Sequence, residues 1–135
     1  MERNNVNRGF KQLIVWNDAI DLYVLSCKML LNFPFELKKT AGNCIDSVHS
    51  ISRNIAEGYC RKGIKEYLNF LNIALASSGE FHSSLISFVK ANQISKEDFE
   101  KLDELHYKTE NALIRLIKSL QIKLKDGSWE TSFRE

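Results

Sequence analysis

One proline and six glycines serve a chain of 135 residues. Sandwiches and barrels turn on frequent Gly and Pro, so this scarcity sets aside a many-stranded β protein and favours long helices. There are three cysteines, Cys27, Cys44 and Cys60, and no C-x-x-C pair among them. Each falls on or beside an apolar helical stripe and reads as a reduced packing residue. The first nine residues lack the apolar core of a signal peptide. The most apolar window, residues 19–31, is broken by Asp21 and Lys28 and is too short to span a bilayer. A cytoplasmic protein without membrane contact is therefore expected. Neither sign of charge dominates: 19 Lys and Arg against 17 Asp and Glu leave a net charge of +2, which argues against a histone-like electrostatic binder. Nucleophile triads, phosphate-binding glycine loops and zinc spacings are missing, and Gly58 and Gly63 do not make such a loop. No enzyme activity, cofactor or small-molecule substrate is expected.

What the chain does contain is the 44% hydrophobic and 27% charged mix of one soluble domain. Leu13, Trp16, Ile20, Tyr23, Cys27 and Leu30 recur at steps of three and four, which predicts a helix over residues 10–31 that ends before Pro34. A second helix follows with Leu37, Ala41, Cys44, Val48, Ile51 and Ile55 inward and Gly58 as its left-handed cap. Ile64, Leu71, Leu75, Phe81, Leu85 and Phe88 mark a third. Ser95, backed by Glu97 and Asp98, caps a fourth that carries Phe99, Leu102, Leu105, Leu113, Leu116 and Leu120. Short links between long helices make neighbours antiparallel. The expectation is an all-α, up-down-up-down four-helix bundle over 10–125, with flexible tails at 1–9 and 126–135. Trp129 and Phe133 stand in the second tail.

The apolar surface exceeds what a lone bundle hides. Fifteen of the 22 residues over 10–31 are apolar, where one buried stripe needs about three in seven. The third helix is also broad, with Tyr67, Leu68, Phe70, Leu71, Ile73, Ala74 and Leu75 nearly consecutive. Monomers seldom expose patches of that size. A homo-oligomer is expected, with Trp16, Tyr23, Phe70 and Leu71 at its interface.

Several stretches resemble a known family. They are Phe10-x-x-Leu13-x-Val15-Trp16-x-x-Ala19, Phe33-Pro34, and Ser50-Ile51-x-x-Asn54-Ile55-Ala56-Glu57-Gly58, then Arg61, Glu66-Tyr67-x-x-Phe70-Leu71-x-Ile73-Ala74 and Glu80. The chain is similar here to the four-helix-bundle proteins encoded in intervening sequences of bacterial 23S rRNA genes. Their relatives include the accessory variability determinant of diversity-generating retroelements. The resemblance implies a ring-like homopentamer without established enzyme activity. For the accessory determinant it implies binding to nucleic acid and to a reverse transcriptase through a basic outer surface. Where family members commonly carry two adjacent basic residues in the second helix, this chain has Ile45 and Asp46.

Three sets of polar residues are candidates for function. Asn54, Glu57 and Arg61, with Glu66 and Glu80, are expected to form a polar cluster that fixes helix ends and subunit register. Glu57 lies near a helix C-terminus, where the dipole disfavours a carboxylate, so Arg61, Arg53 or a neighbouring subunit should supply a partner. Lys38, Lys39, Arg61, Lys62 and Lys65 are the candidate contacts to RNA, as weak patches that a ring would repeat. Asp46-x-x-His49 and Asp103-x-x-His106 each place a carboxylate and an imidazole on one helical face. The Glu-rich ligand set of di-metal bundles is absent and His82 has no such partner in sequence, so no metal is expected. Three functions remain in play: a binding module for RNA or a nucleic-acid-processing protein, a protein-interaction scaffold, and a metal-bound bundle.

Overall fold

A computed structural model describes residues 2–129. Among these residues every regular element is helical, in line with the all-α expectation. The α-helices are α1 (Ile14–Met29), α2 (Lys38–Tyr59), α3 (Ile64–Lys90) and α4 (Lys96–Asp126), and short 3-10 segments cover Val6–Gln12 and Phe35–Leu37. No helix among the described residues is long and apolar enough to cross a membrane.

Each α-helix packs on two others, α1 on α2, α2 on α3, α3 on α4 and α4 back on α1. Cross-helix contacts fix a common level. Tyr23 stacks near His49, with ring centroids 4.8 Å apart; the hydroxyls of Ser50 and Ser77 lie 2.8 Å apart; and the Ser78 hydroxyl lies 2.8 Å from His106 Nε2. The core fills from all four helices, with Leu22, Val48, Ile51, Ile55, Leu71, Phe81, Leu85, Leu102 and Leu113 fully buried.

Helix ends follow local chemistry. The Ser95 hydroxyl accepts from the Asp98 amide at 3.0 Å, and Glu97 and Asp98 occupy the first turn of α4. That helix ends on Gly127 at φ 72°, the left-handed conformation a glycine adopts without cost. Helix α3 ends on Asn92 at φ 58°. The Asn92 amide donates to the Val89 carbonyl at 3.2 Å and the Gln93 amide to Phe88 at 2.8 Å, the paired bonds that close a helix through a left-handed residue.

Three differences from the sequence reading have physical causes. The first helix begins at Ile14 rather than at residue 10, because Leu13 is extended (φ −74°, ψ 127°) and separates α1 from the 3-10 segment. That segment orders part of the 1–9 stretch expected as a tail: Phe10 meets the rings of Trp16 and Tyr59 edge-on, and the Cys60 thiol donates to the Asn7 carbonyl at 3.3 Å. Gly58 is no left-handed cap. It lies inside α2, and a Cβ there would stand 2.9 Å from Phe70 Cβ and 3.1 Å from the Tyr67 carbonyl oxygen. The residue is small because α2 and α3 approach closely, and the helix runs on to Tyr59 with Cys60 as its C-cap.

Candidate functional site

Contacts of Phe10 with Tyr59 and of Trp129 with Lys62 and Tyr67 bring the start of α1, the α2–α3 turn and the end of α4 to one end of the molecule. Trp129, expected in a loose tail, ties that end together. Its indole N–H donates to the Lys62 carbonyl at 3.3 Å. Its ring meets Tyr67 at 5.9 Å, and Lys123 stands 6.0 Å above it. Phe133 lies outside the described residues.

Charge is divided unevenly by the level of the cross-helix contacts. The half holding residues 2–22, 50–77 and 107–129 carries 12 basic and 7 acidic side chains, and the half holding 23–49 and 78–106 carries 6 and 8. A near-neutral chain thus has a basic end, at +5, and a mildly acidic one, at −2. The candidate RNA contacts do not converge. Arg61, Lys62 and Lys65 sit at the basic end. Lys38 and Lys39 open α2, about 30 Å away along a helix that rises 1.5 Å per residue. Lys118, Lys123 and Lys125 of α4 join the basic end instead.

Arg61 is engaged at this end. Its guanidinium lies 3.2 Å from Glu57 and 3.6 Å from Glu66, and 4.9 Å over the Phe70 ring. Glu57 therefore finds the partner its helix-end position demands in Arg61. These ion pairs are half exposed, so each contributes about 0–1 kcal/mol and mainly sets geometry. Lys62 and Lys65 are exposed and form no ion pair among the described residues.

The expected five-residue polar cluster separates into two. Glu57, Arg61 and Glu66 meet at the turn. Asn54 turns away from them and donates to the Ser50 carbonyl and hydroxyl, each at 2.8 Å, extending the Ser50–Ser77 contact into a polar seam between α2 and α3. Glu80 is exposed on the same seam, where it lines a shallow depression with Asn43, Asp46 and Ser77.

A second polar constellation lies between α3 and α4. His82 Nε2 is 2.9 Å from Asp103 Oδ1, so His82 does have a carboxylate partner, on the neighbouring helix. Its ring stacks on that of His106, with centroids 4.8 Å apart and planes 8° from parallel. His106 is 2% exposed. Burial pushes the His106 pKa down, outweighing the Ser78 carbonyl and Glu110, which favour the charged ring. His106 Nε2 lies 3.0 Å from the Ser78 carbonyl oxygen. A carbonyl can only accept, which assigns the proton to Nε2 and leaves Nδ1 with the lone pair. His49 takes no part, since its ring lies against Tyr23 across the α1–α2 contact.

Of the residues expected at an oligomer interface, Trp16, Tyr23 and Phe70 are half-buried. Leu71 is fully buried. It belongs to the protomer's own core and has no surface to offer a neighbour. The large exposed apolar side chains are Ile14 and Leu31, at 74% and 75%, Phe35 at 81%, and Tyr107 and Ile122 at 64%. They lie at the start of α1, between α1 and α2 and along α4, while most of the breadth of α3 is absorbed inside the protomer, with Ile73 and Ile86 its exposed remainder.

No curated protein matches this chain. Among solved structures, a protein of unknown function from the S23 ribosomal protein family of Bacteroides thetaiotaomicron is similar at a TM-score of 0.69 and 22% identity. The match covers 78% of this chain and 99% of that one, and at such identity it speaks for the fold alone. The model of one family matches residues 11–115, which take in all of α1, α2 and α3 and two thirds of α4, and on that match the chain belongs to the 23S rRNA-intervening sequence proteins.

Proposed function

We propose that this protein is a non-enzymatic, cytoplasmic binding module that engages RNA through the basic end of its protomer. In this reading the protomer is an up-down-up-down four-helix bundle that self-associates, as a homopentamer if the family resemblance carries to assembly. The uneven charge carries the proposal. A chain of net charge +2 concentrates its cations where Lys62, Lys65, Lys118, Lys123 and Lys125 surround the α2–α3 turn and the end of α4. Each phosphate met by a lysine releases a counterion, so binding should weaken steeply with salt. A ring repeats a weak patch, and simultaneous contacts raise affinity well beyond one site.

Titrating a labelled single-stranded RNA with the protein tests this at 50 and 300 mM salt. Binding at low salt should fall at high salt, weaken in Lys62→Glu and Lys123→Glu, and persist in Lys38→Glu. No binding at low salt sinks the RNA reading. A second reading, a protein-interaction scaffold without a nucleic-acid role, rests on the exposed Ile14, Leu31, Phe35 and Ile122. It predicts a polypeptide rather than RNA in the native complex. Light scattering at monomer mass would remove self-association from both readings.

A further inference from the structure

We propose that His82, Asp103 and His106 form a binding site for a divalent transition-metal ion of the zinc type. The three residues each offer one donor atom, and these atoms lie within 4.8 Å of one another. Among the described residues they are the one group of three or more potential ligands placed in this way. Two imidazoles and a carboxylate are a nitrogen and oxygen set suited to zinc, nickel or cobalt rather than to calcium or magnesium.

The surroundings supply what a metal-binding histidine needs. Such a ring almost always gives its other N–H to a fixed acceptor, which sets the tautomer and aims the lone pair. The Ser78 carbonyl, 3.0 Å from His106 Nε2, fills that role, and the Ser78 hydroxyl at 2.8 Å adds a second anchor. His82 and Asp103 have side chains 38% and 36% exposed, so an ion can reach the pair from solvent.

The geometry also says what must move. Ligands at about 2.1 Å from a tetrahedral ion stand about 3.4 Å from each other. A lone pair lies in the plane of its ring, so two rings stacked 8° from parallel cannot both point at one ion. His106 is held by burial and Ser78. His82 is the member that must turn: it is anchored by its 2.9 Å contact with Asp103, and turning away releases that carboxylate as a ligand. Binding therefore costs the His82–Asp103 contact and the ring stack. Three protein ligands leave the remaining coordination to water, the arrangement of an accessible rather than a closed structural site.

Isothermal titration of the full chain with ZnCl2 at pH 7.5 tests the site, in a Cys27→Ser, Cys60→Ser background that removes the two partly exposed competing thiols. One equivalent should bind, at least tenfold more weakly in His82→Ala and in Asp103→Asn and unchanged in His49→Ala. Histidine ring NMR signals, which need no variant, should shift for His82 and His106 and stay for His49. No binding up to millimolar zinc overturns the proposal, as do variants that bind like the parent and ring shifts confined to His49.

Discussion

The indole of Trp129 donates to the carbonyl of Lys62 across 67 residues of sequence, at 3.3 Å. This bond, with the ring contact to Tyr67, fastens the segment that follows α4 over the α2–α3 turn. An aromatic pair is worth about 0.5–1.5 kcal/mol beyond the area it buries. Trp129→Ala should therefore lower stability by about 1–2 kcal/mol in urea unfolding. The loss should be nearly matched by truncation after Gly127. A tail that merely rests on the surface would leave the midpoint unchanged.

Gly58 makes the opposite test of a helical position. In an exposed helix interior Gly→Ala stabilises by about 1 kcal/mol. Here the added methyl would meet Phe70 Cβ at 2.9 Å and Tyr67 Cδ1 at 3.0 Å, inside the closest approach of α2 and α3. Overpacking of this kind costs about 1–3 kcal/mol. Gly58→Ala should be net destabilising, while Gly79→Ala, where nothing lies within 4 Å, should be stabilising. Thermal unfolding of the two variants side by side distinguishes packing from propensity.

Periodicity carries most of what could be known beforehand, and its limits explain the rest. It places Ile51, Phe81 and Leu113 inward, because residues three and four apart share a helical face whatever the neighbours are. On α1, apolar nearly all round, it singles out Leu13, Trp16, Ile20, Tyr23 and Cys27, which are half-buried, while Val15, Ala19, Leu22 and Ser26 form the buried face. Ser95 was recognisable because a cap is local chemistry. Periodicity does not set the axial offset or rotation of one helix against the next. The contact of His82 with Asp103 depends on both, so the pairing of Asp103 with His106 within one helix was visible and its third member was not. Gly58 illustrates the same gap, since a glycine before a turn suggests a left-handed cap and only the neighbour's distance shows a close approach. Lys38 and Lys39 were grouped with Arg61 by composition, although one helix length separates them.

Leu71 and Ile14 separate core from surface. Leu71 is fully buried, so Leu71→Ala should cost about 2–5 kcal/mol and Leu71→Lys should abolish the cooperative unfolding transition. Ile14 and Leu31 are 74% and 75% exposed. Ile14→Lys and Leu31→Lys should keep the circular dichroism of the parent. If α1 lies at a subunit interface, they should also shift the mass in light scattering toward the monomer. A folded variant of unchanged mass would place assembly on another face.

Cys44 provides a prediction with a definite pH direction. Burial pushes its thiol pKa up to about 12, with the Ser84 hydrogen bond opposing the shift and Glu80 adding to it. An unfolded thiol titrates near about 8.5. Between these values the folded state holds a proton that the unfolded chain has lost, so stability is complete below the unfolded pKa and declines as pH rises above it. Cys44→Ala should flatten this alkaline decline in urea midpoints measured from pH 7.5 to 10. The thiolate is the reactive form, so at pH 8 a thiol reagent should modify Cys27 and Cys60, both only half-buried, well before Cys44. Simultaneous labelling of all three in the native protein would contradict the burial of Cys44 between its helices.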